Sequence, residues 1–260
     1  MYREPKLQSR ADRAQLEGMA RLFERGSEPL ADRIDAFAKF ASRRALAKFL
    51  VRHELFKRVL GVNGSIVECG VLHGAGLFAF AQLSSIYEPY NHTRRVIGFD
   101  TFAGTPGAHR KDTRTGSSSH FGRGSLAGSS AAELRRAAAL FDLNRPLSHI
   151  PKIELVKGDL RRTAKRYVRE NPHLVVSLLY LDVDVYAPTK AALEAFVPRM
   201  PRGALIVFDE LNARTFPGET IAADEVLGLS NLRLERLPID PYISFCVLGE
   251  PGRRRVKRRR

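Results

Sequence analysis

Two apolar runs that each end in a pair of acids constrain this chain more than any other feature. They are Leu178-Leu179-Tyr180-Leu181-Asp182-Val183-Asp184 and Ala204-Leu205-Ile206-Val207-Phe208-Asp209-Glu210. Each has the length and composition of a strand buried on both faces of a parallel sheet. Adjacent parallel strands bring such acids together at the carboxyl edge, where open α/β sheets bind ligands. Carboxylates crowded there repel one another unless a cation or a shared proton compensates. A hard-metal site at the strand ends is the first expectation.

The rest of the chain alternates in the same way. Ile66–Val71 reads as a strand entering a glycine-spaced turn, a helix follows over 76–87, and Arg95–Asp100 is a second strand that ends in an acid. Residues 103–130 break the rhythm: they are rich in Gly and Ser, carry His109 and His120, and read as a long lid loop. Alternation then resumes with a helix over 131–142, strand 152–157, helix 159–170, strand 175–183, helix 188–199 and strand 203–209. A short helix over 220–227 leads to two strand-like runs, 232–237 and 242–248, with a Pro238-Ile239-Asp240-Pro241 turn between them. The expected architecture is α/β: a mostly parallel Rossmann-like sheet with an antiparallel finish. Residues 1–60 form a helical lead-in, with a charged and partly disordered start and helical spacing over 31–60. Residues 61–250 are expected to form the sheet-bearing domain, and 251–260 a basic tail.

Charge and cysteine content exclude several classes. The net charge is +15, but seven of the last eight residues are basic, and without them the balance is +8. A terminal run of like charge without interleaved aromatics reads as a disordered, solvated tail, so no nucleic-acid partner is expected. Cys69 and Cys246 sit inside apolar runs as small core residues rather than as a disulfide framework. No stretch is long and apolar enough to span a bilayer, and the charged start does not resemble a signal peptide. A cytoplasmic protein without a membrane partner is expected.

The segment Val67-Glu68-Cys69-Gly70-Val71-Leu72-His73-Gly74-Ala75-Gly76 follows a strand and opens a helix. Gly70, Gly74 and Gly76 let the backbone approach a ligand, and the helix start offers unpaired N–H groups. The spacing is not that of a dinucleotide fingerprint, and no basic residue is present to hold a diphosphate. Glu68 instead suits a ligand with a positive amino-acid part and a ribose, a description that S-adenosylmethionine fits. Asp100 is placed to accept hydrogen bonds from ribose hydroxyls. Asp159 reads equally as a partner for the adenine amino group and as the N-cap of the next helix.

Four motifs in one order carry a resemblance: Glu68-Cys69-Gly70-Val71-x-x-Gly74, Phe99-Asp100-Thr101-Phe102-Ala103-Gly104-Thr105-Pro106, Leu181-Asp182-Val183-Asp184-Val185-Tyr186, and Gly203-Ala204-x-Ile206-Val207-x-Asp209-Glu210. They resemble the macrocin O-methyltransferase family, class I S-adenosylmethionine enzymes that methylate deoxysugars of natural products. The resemblance spans residues 60–228. It implies a Mg²⁺ site at Asp182, Asp209 and Glu210, and it aligns His120 with a family general base, with Asp182 as the alternative proton acceptor. Asp184 would support the metal from behind or cap the next helix. Glu210 departs from the family, which usually carries a second aspartate there, and Val183 stands where the family commonly has Gly. The implied partner is a small molecule, a sugar or glycosylated natural product, bound by a homo-oligomeric enzyme. A catechol-type O-methyltransferase, whose acceptor has adjacent aromatic hydroxyls, is the nearest alternative. A nucleic-acid-binding or nucleic-acid-modifying protein is the more distant one.

Overall fold

A computed structural model of the chain describes residues 9–112 and 122–249. His120 and the basic tail fall outside those residues. The chain divides into two compact units between Leu50 and Val51. In the first, helix α1 (Arg10–Arg25) is started by a capping box in which Ser9 and Asp12 satisfy each other's backbone N–H groups. Two short helices follow, α2 (Leu30–Asp35) and α3 (Phe37–Phe40), and the ring of Phe23 meets Phe40 edge-on at 5.0 Å. The charged first segment is thus helical from Arg10 onward.

Helix α4 (Arg43–Val59) begins in this unit, and its residues from Val51 onward belong to the second. There the described strands form one seven-stranded sheet in the order β3-β2-β1-β4-β5-β7-β6. Strands β1 (Ser65–Cys69), β2 (Val96–Asp100), β3 (Ile153–Lys157), β4 (Val176–Leu181) and β5 (Leu205–Phe208) run parallel. Strand β7 (Ser244–Val247) is antiparallel to β5, and β6 (Glu235–Arg236) pairs with β7 across the expected turn. The mostly parallel sheet with an antiparallel finish is therefore present.

Side chains alternate between the two faces of each strand. Ile66, Leu178, Tyr180, Leu205 and Val207 pack with Val51, Leu55 and Phe56 of α4, Phe80 of α5 (Ala75–Tyr87) and Leu134 of α6 (Ala131–Leu143). On the other face, Val67, Leu179, Leu181, Ile206 and Phe208 pack with α7 (Leu160–Glu170), α8 (Tyr186–Phe196) and α9 (Pro217–Leu227). The order of the strands reverses at β1, with β2 on one side and β4 on the other, so the crevice above β1 is where a ligand is expected.

Two elements differ from expectation. The run 232–237 contributes only Glu235 and Arg236 to the sheet, because β6 is an edge strand with β7 as its sole neighbour. The helix expected over 188–199 starts at Tyr186, and its last turn tightens into a 3₁₀ turn, Val197–Arg199, around Pro198.

Candidate active site at the carboxyl edge of the sheet

The glycine turn is held under conformational strain by an acid. Gly70, Leu72 and Gly74 all have positive φ, of 92°, 51° and 83°. The value at Leu72 is notable because a bulky side chain disfavours that region. Asp100, at the end of β2, supplies the restraint: its Oδ2 accepts the N–H groups of Val71 at 2.8 Å and Leu72 at 3.1 Å. Its Oδ1 accepts the N–H of Phe102 at 2.7 Å, so one carboxylate ties together the turns after β1 and β2. Gly74 is the N-cap of α5, and no side chain caps that end. The first N–H groups of α5 stand just after β1, at the carboxyl edge of the sheet.

Glu68 lies deep behind the glycine turn. It is 1% exposed and lies beneath Gly76, where a Cβ would come within 1.8 Å of its Oε1. Glu68 meets Arg52 of α4, at 3.9 Å, and Gly76 is required by that buried pair. Burial is the largest cause that pushes the Glu68 carboxyl up to about 8. Arg52 opposes the shift, while Asp182, Asp209 and Asp100 add to it.

The native state thus holds the Glu68 proton over a range in which the unfolded chain has already lost it. The stability associated with this proton is fully present below the ordinary carboxylate pKa and is lost as pH rises toward about 8. Glu68→Gln is expected to gain on wild type over that window and to run parallel to it at higher pH. Urea denaturation at a series of pH values checks this. A difference that does not change with pH would show that Glu68 ionises as it does in the unfolded chain.

Residues 68, 180, 182, 207 and 209 share one sheet face by alternation and by register, since Glu68 pairs with Tyr180 and Tyr180 with Val207. Asp209 is buried at 3% exposure, and its Oδ1 accepts the Tyr180 hydroxyl at 2.8 Å. Arg52 lies over the Tyr180 ring at 5.0 Å. Its guanidinium keeps its charge against the cost of burial because Tyr180, Glu68, Asp209 and Asp182 surround it. Asp184 has a φ of 60° in the turn between β4 and α8.

Sequence reasoning missed Glu219. It lies in the first turn of α9 at 2% exposure, and its Oε2 accepts the N–H of Glu210 at 2.7 Å. Burial pushes its carboxyl well above the usual range, and Asp209, Glu210 and Asp184 reinforce the shift. An acid in a first helical turn is ordinary, so only its neighbours mark this one.

The two described ends of the long loop are zipped together by Gly124 N–H to Thr105 O at 2.9 Å and Thr105 N–H to Ser125 O at 2.8 Å. Asp112, 1% exposed, reaches from the loop to accept the N–H of Tyr186 at 2.8 Å, which caps α8 just after the Asp182–Asp184 motif. Lys111 bonds Glu225 and the Tyr186 hydroxyl, and the His109 ring lies 4.9 Å from that of Tyr186. Asp159 is the N-cap of α7, accepts the N–H of Arg161 at 3.0 Å and pairs with the Arg161 guanidinium. The capping role is thus the one its contacts display.

Asp182, Asp209 and Glu210 lie at adjacent strand ends, as the sequence implies. Among the described residues, no group of three or more His, Cys, Asp or Glu side chains is gathered as a metal-holding cluster. Their donor chemistry still fits Mg²⁺, which takes oxygen ligands and is usually held by only one or two carboxylates plus waters and substrate. Among the described residues, no helix is long and apolar enough to cross a membrane.

The sequence matches the family model described as Macrocin-O-methyltransferase (TylF) over residues 43–225. Among solved structures, the chain is similar to CalS11, a calicheamicin methyltransferase. The two are 34% identical, with 96% of this chain and 98% of that chain covered and a TM-score of 0.90. A second CalS11 structure, of the apo TDP-rhamnose 3'-O-methyltransferase of calicheamicin biosynthesis, is also 34% identical. It covers 94% of this chain and 97% of its own, with a TM-score of 0.81. The O-methyltransferase NovP, 20% identical over 80% of this chain and 81% of its own with a TM-score of 0.62, shares the fold. No curated protein sequence matches the chain. A family match over more than half the chain, on a sheet whose carboxyl edge carries the glycine turn and the acid-ended strands, makes this an S-adenosylmethionine-dependent O-methyltransferase that belongs to the macrocin O-methyltransferase family.

Proposed function

We propose that the enzyme transfers the methyl group of S-adenosylmethionine to a hydroxyl of a sugar, either on a natural product or as its nucleotide-linked precursor, with Mg²⁺ on the acceptor side. The observation that carries the sugar assignment is the similarity to CalS11 over nearly the whole of both chains. In this reading Gly70, Gly74 and the open N-terminus of α5 receive the amino-acid part of the donor. Gly76 and Glu68 support that turn from behind, with Arg52 beside them. Asp100 sets the turn's backbone and faces the ribose, while Asp159 closes the adenine end from its N-cap position.

Asp182, Asp209 and Glu210 would hold the cation. Bound there, Mg²⁺ supplies a Lewis acid that lowers the pKa of the acceptor hydroxyl. Glu219 fixes the Glu210 backbone, and Asp112 fixes the start of α8, so both acid pairs stand on restrained turns. As the methyl group leaves sulfur for oxygen, the acceptor proton passes to His120 or to the carboxylate of Asp182.

Calorimetry with S-adenosylhomocysteine, followed by methyl-transfer assays on TDP-deoxysugars and on catechols, tests the reading. Binding of the product cofactor and chelator-sensitive transfer to a sugar are expected, with transfer lost in Asp182→Ala and Asp209→Ala. Transfer to catechols alone would replace the sugar assignment. Full activity of both variants in the presence of chelator would remove the metal.

A further inference from the structure

We infer that Tyr180 is a positioning residue for the acceptor side: its buried hydroxyl fixes the carboxylate plane of Asp209, and Arg52 fixes Tyr180 in turn. This rests on the reading of Asp209 as a cation-holding residue.

Tyr180 lies in the central strand β4 with no solvent exposure, between Glu68 of β1 and Val207 of β5. Phenylalanine would fill almost the same space, so the hydroxyl is the part of Tyr180 that packing alone does not explain. A buried phenol needs a hydrogen-bond partner, and this one reaches the carboxylate after the neighbouring strand, Asp209 Oδ1 at 2.8 Å. The ring itself is clamped. The Arg52 guanidinium lies over it at 5.0 Å, and Phe80 packs against it edge-on at 5.9 Å. Arg52 is meanwhile anchored near Glu68, behind the glycine turn.

An aspartate can rotate about its last torsion, and a donor held on one oxygen removes that freedom. A ligand oriented in advance holds a cation more tightly, and loss of such supporting hydrogen bonds typically costs about 10–100-fold in metal affinity. The same chain of contacts joins the support of the donor turn to the acid on the acceptor side. Both halves of the site therefore share one buried strut made by Glu68, Arg52, Tyr180 and Asp209.

The test uses the full-length enzyme and Mn²⁺ as the spectroscopic substitute for Mg²⁺. Titration of the free Mn²⁺ signal is expected to show about 10–100-fold weaker binding by Tyr180→Phe than by wild type. Affinity for S-adenosylhomocysteine is expected to be unchanged, and saturating Mg²⁺ is expected to restore the rate. Unchanged Mn²⁺ affinity with only a lower melting temperature would overturn the positioning role and leave Tyr180 a core residue. Arg52→Lys keeps the charge beside Glu68 but loses the planar stacking on Tyr180, so it should weaken Mn²⁺ binding in the same direction. Undisturbed Mn²⁺ binding there would remove Arg52 from the strut. If wild type binds S-adenosylhomocysteine but no Mn²⁺, the cation reading itself fails, and the positioning role fails with it.

Discussion

Gly70→Ala is expected to abolish binding of S-adenosylhomocysteine and to lower stability by about 3 kcal/mol or more. Two costs add at this position. The residue has a φ of 92°, a conformation disfavoured for any side chain by roughly 1–2 kcal/mol. A Cβ there would also sit 1.8 Å from the backbone oxygen of Asp182. The two backbones are held together just before this point, because the Asp182 N–H is bonded to Cys69 O at 2.8 Å and the Gly70 N–H to Phe99 O at 2.9 Å. Relief requires either the Asp182 carbonyl to turn or the ends of β1 and β4 to separate, and each shifts the donor turn or the first acid of the acceptor side. Calorimetry and urea denaturation read the two effects. Gly61→Ala, where an added Cβ meets nothing within 4 Å, serves as the neutral control. A Gly70→Ala protein that binds the product cofactor like wild type would show that the turn tolerates a side chain and that the close approach is not essential.

How much of this was legible in the sequence depends on which residues carry their signal locally. Strands β1, β2, β4 and β5 announce themselves because each is buried on both faces and reads as a mainly apolar run. The acids at or near their ends were legible for the same reason: a charge that interrupts such a run stands out. Strand β6 was overestimated because its apolar residues, Leu232 and Leu234, lie outside the two-residue ladder at the sheet's edge.

Residues that act through long-range contacts were harder to see. The partner of Glu68 was not legible, because its place near the end of β1 gives no sign that α4 brings an arginine behind it. A signal was present in α4 itself. Arg52 shares a helical face with Leu55, Phe56 and Val59, all buried, and an arginine at such a core position requires a partner. Asp112 and Glu219 carried no comparable mark. One sits in an aperiodic loop and the other in an ordinary first turn, and only the tertiary arrangement brings them to the acid motifs. Asp100 was placed correctly at its strand end, but its backbone partners, the N–H groups of Val71, Leu72 and Phe102, appear only once both turns are folded.

The opposite edge of the sheet carries the second large expected effect: Arg94→Met should destabilise the enzyme by about 3–5 kcal/mol. The Arg94 side chain is 3% exposed and pairs with Glu88 at 2.6 Å, just after α5. Its Nη1 donates to Gly64 O at 2.9 Å and to Ser177 Oγ at 2.6 Å, which links the entries of β1 and β4. Its Nη2 donates to Val59 O at 3.1 Å and Val62 O at 2.9 Å, so the same group satisfies a carbonyl at the end of α4. Methionine keeps much of the volume but removes the donor from Val62 O and Ser177 Oγ and one of two donors from Gly64 O and Val59 O, which keep the Ser177 hydroxyl and the Val62 N–H, and it leaves Glu88 without this counter-charge. The cost is that of breaking a buried pair rather than of never having made one. Glu88→Gln should cost less, because Glu88 also accepts from Ser84 and Asn91 and is 13% exposed. Urea midpoints with unchanged slopes, for the two single variants and the double, separate the pair from its surroundings. An Arg94→Met protein within about 1 kcal/mol of wild type would mean that the carbonyls find water and that the edge is not held by this arginine. If the loss is found while affinity for S-adenosylhomocysteine stays normal at low temperature, stability and chemistry are divided between the two edges of the sheet. Arg94 then fixes the edge at which β1 and β4 begin, and the strand-end acids are left to the reaction.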